Sequence, residues 1–316
     1  MRRVLFVVFA VMLAGLPASA QPDTPALPDQ IVFEAPAGLQ PEGVVWDAER
    51  ERFIVGSLLD GTVGTVTDDG VYTPLFTDPM FEATTGLHIA DGRLYVANTS
   101  PTAFIPFARG LASLVVYDLS LDAVVLAVNL TDVHPGGGAR FANDVTVDAD
   151  GTAYLTDSFQ PVLYAVTPEG EASVLVESPL LDAPFLGSNG IDIHPDGFLL
   201  VGVSGTESLV RVPLDDPTAL ELVAWDVPAA IDGMVLTEDG TTLYAVTRRE
   251  VDGQTVQAVA VYVSEDSWQT ATLSATFQTS GEATTLTVRE GEVYVIDAHL
   301  QDFFRAEYPI TRAVFE

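Results

Sequence analysis

NDVTVDADGTAYLTDS, residues 143–158, decides the fold: an apolar-x-apolar strand follows the opening polar residue, Asp150-Gly151 marks a tight turn, and a second apolar strand returns. Five other segments share this form. They are EGVVWDAERERFIVGS from Glu42, TGLHIADGRLYVANT from Thr85, NGIDIHPDGFLLVGVS from Asn189, DGMVLTEDGTTLYAVT from Asp232 and TTLTVREGEVYVIDAH from Thr284. Their starts lie roughly 43 to 58 residues apart, a period that suits one four-stranded propeller blade. The expected fold is therefore all-β, a six-bladed β-propeller of four-stranded blades over residues 31–316. The turns at Asp91-Gly92, Asp150-Gly151, Asp196-Gly197 and Asp239-Gly240 join the innermost strand of a blade to the second. Ile31 to Ala35 is expected to close the ring as the outer strand of the blade that the C-terminal segment, Ile310 to Phe315, leaves incomplete. A seven-bladed ring or an open solenoid would need a repeat that is not detected.

Composition excludes whole classes of chemistry. The 316 residues carry 13 basic against 45 acidic side chains, a formal charge of −32, and every basic residue is arginine. Without lysine there is no Walker A loop, Schiff-base lysine or Ser–Lys dyad. Without cysteine there is no disulfide, thiolate zinc site or cysteine nucleophile. The acidity excludes nucleic acid as a partner, because a phosphate backbone needs a basic face. No G-x-S-x-G or H-E-x-x-H is present. An acidic, arginine-only surface also suggests a saline setting.

The N-terminus has the layout of a secretory signal peptide. Arg2 and Arg3 precede the apolar run Val4 to Leu16, and Ala18-Ser19-Ala20 offers a small-residue cleavage site. The apolar run is short for a membrane span, so stable membrane insertion is not expected. Residues 1–20 are read as the signal, 21–30 as a disordered lead-in, and the mature protein as a secreted or periplasmic monomer.

The first residue of each repeat begins the innermost strand, beside the central channel. In register these are Glu42, Thr85, Asn143, Asn189, Asp232 and Thr284. Turn propensity does not explain Asn-Gly or Asp-Gly at this place, because the hairpin turn of each repeat comes later. Two carboxylates and two amides converging on one axis are costly to desolvate unless a cation neutralises them. Glu42, Asn143, Asn189 and Asp232 are thus candidate ligands for Ca²⁺, which accepts six to eight oxygens; Zn²⁺ or Mg²⁺ are possible substitutes.

PEGVVWD, RFANDVTVDADG, SNGIDIHPDG and IDGMVL, taken in order, resemble the gluconolactonase, regucalcin (senescence marker protein) and luciferin-regenerating-enzyme family of calcium-dependent six-bladed propellers. The wider calcium propellers, paraoxonase and diisopropyl fluorophosphatase, are similar. The resemblance implies metal-dependent hydrolysis of lactones or organophosphates. It matches Glu42, Asn189 and Asp232 to metal ligands, and Asn143 to a position that holds metal in some members and substrate in others. Sugar-lactone members carry Arg-x-Asn-Asp, the arginine binding substrate. Here Arg140-Phe141-Ala142-Asn143-Asp144 has one residue more, which bears against a sugar lactone more than against the metal.

The second strand of each blade ends on the face where the ligand residues start. Asn98, Asp157 and Arg248 are accordingly expected around the mouth, with Arg140 and Asn143, as substrate-binding residues. His134 and His299 are candidates for proton transfer, and Asp232 for the base or nucleophile. His194, beside a hairpin turn, reads as structural, and His88 as a core or channel histidine. The loop from Thr99 to Gly110, with Phe104, Ile105, Pro106 and Phe107, is apolar enough to line a pocket, form a lid or pack as a plug. The expected function is hydrolysis of a small-molecule lactone or related ester. The alternatives are a non-catalytic, calcium-stabilised binding propeller and, less favoured, a strictosidine-synthase-like propeller.

Overall fold

The computed structural model describes residues 26–77, 80–105, 107–279 and 281–315, so the expected signal peptide lies outside the described residues. Runs of β-branched and aromatic residues form strands, and among the described residues helical structure is limited to four 3-10 turns. Turn chemistry joins the strands as the sequence suggests. At Asp91-Gly92 both residues sit at positive φ, 49° and 72°, the geometry that matches the twist of the flanking strands.

Hydrogen bonding gathers the strands into five sheets: three of four strands, one of five and one of eight. The expectation was six separate four-stranded sheets. The departure has a local cause: strands Gly110–Asp118 and Arg140–Val147 pair in parallel through Arg140↔Gly110 and Phe141↔Leu111, merging two antiparallel runs into one ladder. Strands Pro41–Asp47, Ala83–Ala90, Arg140–Val147, Ser188–His194, Ala230–Leu236 and Ala283–Arg289 each pack against the next, and the last against the first. The fold is an all-β, propeller-like ring around these strands.

The N-terminal strand, Gln30–Glu34, pairs antiparallel with Glu307–Arg312, the third strand of the C-terminal sheet. It starts inside the stretch read as a lead-in. There Pro28 accepts from the Tyr294 hydroxyl at 2.8 Å, and the Asp29 carbonyl accepts from the Arg312 N–H at 2.8 Å. The contacts of Phe33 show why the register holds: its ring is fully buried, stacked on Tyr72 and tilted against Tyr308. The core is a set of such clusters between neighbouring antiparallel runs of strands, for example Ala97 and Leu114 against Val145, Leu155 and Tyr164 within the eight-stranded sheet.

All six ring strands share one irregularity near their start, with register shifts at Pro41/Val44, Thr84/Leu87, Ala142/Val145, Ser188/Ile191, Ile231/Met234 and Ala283/Thr285. A bulge re-aims side chains and bends the strand. Here it falls on the first residue of each repeat. The residue that follows is Gly43, Gly86, Gly190 or Gly233 in four of them. A Cβ on Gly190 would collide with the Asp232 carbonyl of the next strand, and one on Gly43 with that of Thr85. The Asn-Gly and Asp-Gly pairs are therefore close-approach points between ring strands, not turns.

Candidate functional site

The six bulges divide the first residues by task. The Thr85 hydroxyl lies 3.0 Å from the Ala142 carbonyl and the Thr284 hydroxyl 2.8 Å from that of Glu42, each donating to the next strand of the ring. Glu42, Asn143 and Asn189 line one cavity of about 10 Å³, room for about one water-sized sphere, together with Asp144 and Thr285. Asp232 joins them from the neighbouring cavity, its Oδ1 accepting from Asn189 Nδ2 at 3.0 Å. The structure thus brings the four candidate ligands together.

The amide orientations follow from the hydroxyls beside them. Ser158 Oγ donates to the Ser188 carbonyl at 2.8 Å, so it accepts from Asn143 Nδ2, also at 2.8 Å. Ser204 Oγ donates to the Ile231 carbonyl and accepts from Asn189 Nδ2 at 3.1 Å. With both nitrogens committed, the two amide oxygens are left as acceptors at the site. Among the described residues no hydrogen bond reaches the Glu42 carboxylate.

The carboxylates are held away from their ordinary ionisation. Burial, then the charges of Asp232 and Asp144, push Glu42 well above the usual range. Burial pushes Asp232 up to about 6, against the pull of Arg248 and the Asn189 bond. Asp144 is pushed up to about 7 by burial, although the Val145 and Ile191 N–H groups bond to it, and Asp192 and Asp232 add repulsion. Such a cluster is costly without an opposing charge. The donor set, two acids and two amide oxygens around a space for one small sphere, fits a hard cation. Among the described residues no three His, Asp or Glu side chains form a metal-binding group, so a site here depends on the amides.

Asp144 and Asp192 were missed by sequence reading. Asp144 stands where four other repeats have glycine, and its Oδ2 accepts from the Ile191 N–H at 3.2 Å. Asp192 does the same one strand on, accepting from the Leu236 N–H at 2.7 Å and the Thr146 hydroxyl at 3.1 Å. The signal available was an acid in an otherwise apolar ring strand. Asp192 and His88, whose pKa burial lowers while Asp192 opposes, line the opening of about 510 Å³ at the hairpin-turn end of the channel, with Asp144 at its inner wall.

Several other candidates are placed elsewhere. Arg140 is fully buried and donates to the carbonyls of Thr131, His134, Gly136, Gly138 and Ala139, pinning that loop rather than facing the quartet. Asn98 is also fully buried, committed to Met80, Glu82 and Ser113. The Asp157 carboxylate clips the Phe141 and Phe159 N–H groups at 2.9 and 3.0 Å and accepts from the Tyr164 hydroxyl. His134 lies 3.5 Å from Glu177, on the outermost strand of its sheet. His299 sits against Gly281 and Asp297, with its pKa lowered by burial and Arg305, and lines neither cavity of the quartet. None of these five residues lines a cavity of the quartet. Arg248 is the exception: it is exposed and lines the cavity of Asp232 and Asn189.

No protein-family model and no curated protein matches the sequence. Solved structures do match. The Malassezia sympodialis allergen Mala s 1 is 18% identical with TM-score 0.73, over 92% of this chain and 97% of that one. A gluconolactonase from Xanthomonas campestris is 16% identical with TM-score 0.61, over 90% and 91%. The calcium-binding protein regucalcin from Agrobacterium tumefaciens is 17% identical with TM-score 0.59, over 91% and 95%. The chain shares its fold, over most of its length, with gluconolactonase, regucalcin and luciferin-regenerating-enzyme structures.

Proposed function

We propose that this protein is an exported, divalent-cation-dependent hydrolase of a lactone or related ester, built on six blades. The blade count treats the eight-stranded sheet as two blades, since only a two-residue parallel pairing joins its halves. Export rests on the Arg2-Arg3 start, the apolar run and Ala18-Ser19-Ala20. The observation that carries the reading is the quartet itself, two acids and two oriented amides at the centre of the ring.

Glu42, Asn143, Asn189 and Asp232 would hold the cation, with Ca²⁺ suited to the amide oxygens. When bound, it supplies positive charge that polarises an ester carbonyl and stabilises the developing oxyanion. Asp232 Oδ1 is held by Asn189, leaving Oδ2 to take a proton from the attacking water or to attack directly. Without a cation, burial raises the Asp232 pKa to about 6; the cation would lower it again and keep the carboxylate ionised. Arg248, on the wall of the same cavity, would hold the carboxylate product.

The test is turnover of a panel of lactones, aryl esters and phosphotriesters, with and without chelator, by the wild type and by Asn189→Ala and Asp232→Ala. Chelation or either substitution is expected to lower kcat/KM by about a hundredfold or more. Activity indifferent to all three contradicts the proposal. One observation favours a second reading: His134, Asn98 and Asp157 are spent on structural contacts, which leaves few polar groups for catalysis. A protein that chelation destabilises but that turns over nothing in the panel is a binding propeller.

A further inference from the structure

On the same face as the quartet, one groove of about 800 Å³ differs in character from everything around it. Phe104, Ile105, Phe107, Phe159 and Phe185 line it, with the backbone of Gly136 to Gly138 as one wall. Ile105 is 57% exposed, Phe185 69%, and Phe107 wholly so at φ 70°, a backbone conformation that bulky residues avoid. Packing does not put these three side chains there, and at Phe107 backbone preference opposes it. Single exposed apolar residues are ordinary on a protein surface, but a concave cluster of aromatics marks a binding site.

The groove lies beside the site, with Ser158 between Asn143 and the first aromatic of its wall. Phe159 follows Ser158, the residue that accepts the Asn143 amide, and its N–H is fixed by Asp157. Phe159 also packs edge-on against Phe104, ring centroids 5.4 Å apart, so the aromatic wall starts next to the serine that holds Asn143. Among the described residues the groove's lining is mostly apolar, which suits neither a sugar's hydroxyls nor a phosphate. Arg109, its one charged lining residue, is paired with Asp132 at 2.7 Å, and Arg140 is spent beneath it, holding the glycine wall in place.

We propose that this groove is the acyl-chain subsite: the substrate is a lactone or ester carrying a medium to long alkyl chain, its carbonyl at the quartet and its tail along Phe159, Phe104 and Phe185. This rests on the hydrolytic reading above. The cavity is of ordinary ligand size, and each methylene buried in it adds about two- to fourfold to kcat/KM until the groove is filled.

The experiment is kcat/KM along a series of alkyl δ-lactones of rising chain length with gluconolactone alongside, each lactone kept below its micellar concentration. It uses the wild type, Phe185→Ser and Phe107→Ser, whose exposed rings make folding insensitive to the change, and Phe104→Ser. Binding of dansyl-undecanoate, followed by emission, is measured on the same proteins. The proposal expects a rising series, gluconolactone as a poor substrate, a long-to-short kcat/KM ratio cut about tenfold in the groove variants, and saturable probe binding weakened with it. A flat series, a ratio unchanged in all three variants, or probe binding indifferent to them overturns the subsite. Binding seen only with phospholipid vesicles and not with monomeric probe overturns it in favour of a lipid-surface contact. No turnover at any chain length with the probe still bound in the groove refutes the hydrolase, and leaves the groove a site for an apolar ligand.

Discussion

At the residue scale, charge decides most. Glu42 and Asp232 are acids whose ionisation the fold opposes, so in cation-free protein their linkage to stability has a definite sign. A carboxyl with a raised native pKa favours the folded state below its unfolded value, near 4, and loses that contribution as pH rises through the native value, about 6 for Asp232. The melting temperature of chelated protein should therefore fall between pH 5 and pH 8, and the fall should shrink in Asp232→Asn and on adding calcium. A chelated wild type and Asp232→Asn with identical pH profiles would contradict this. Arg140 makes the opposite case, a residue whose expected task the structure reassigns. Arg140→Met leaves several buried carbonyls without a donor and should cost about 3 kcal/mol in denaturant unfolding, while calcium affinity stays within about twofold. A large loss of affinity with unchanged stability would return Arg140 to the site.

At the scale of elements, the bulge at the start of each ring strand turns a repeat into a site. It falls on the first residue and brings the next residue so close to the following strand that only glycine fits in four of six cases. Gly190→Ala and Gly233→Ala should each destabilise by about 1–3 kcal/mol or more, whereas Gly137→Ala, with open space around it, should not move the melting point. Equal effects at Gly190 and Gly137 would refute the close-approach argument. Much of this was legible beforehand: the apolar-x-apolar pattern gave the strands, Asp91-Gly92 the hairpin, and the position of Asn189 and Asp232 ahead of the turn gave the quartet. What was not legible depends on distances between strands far apart in sequence. Nothing local to Asn98 or Asp157 says that a neighbouring loop will take up its side chain, and nothing local to Gly110 says that it will pair with Arg140 and fuse two sheets.

At the scale of the molecule, closure and charge govern stability. The ring is completed by a strand from one terminus seated on a sheet from the other, so Phe33→Ala should cost about 3–5 kcal/mol, far more than an average surface change. A formal charge of −32 on a surface without lysine repels itself, and screening should raise the melting temperature from low to molar salt; no change or a fall would count against a saline setting. The central claim is narrower than either: the four side chains that the ring brings together hold one divalent cation. Calorimetric titration of calcium into chelator-treated wild type and Asn189→Ala tests it most directly. The account predicts one saturable site in the wild type and a loss of affinity of at least about tenfold in the variant. No saturable binding to the wild type, or binding unchanged in Asn189→Ala, would contradict it.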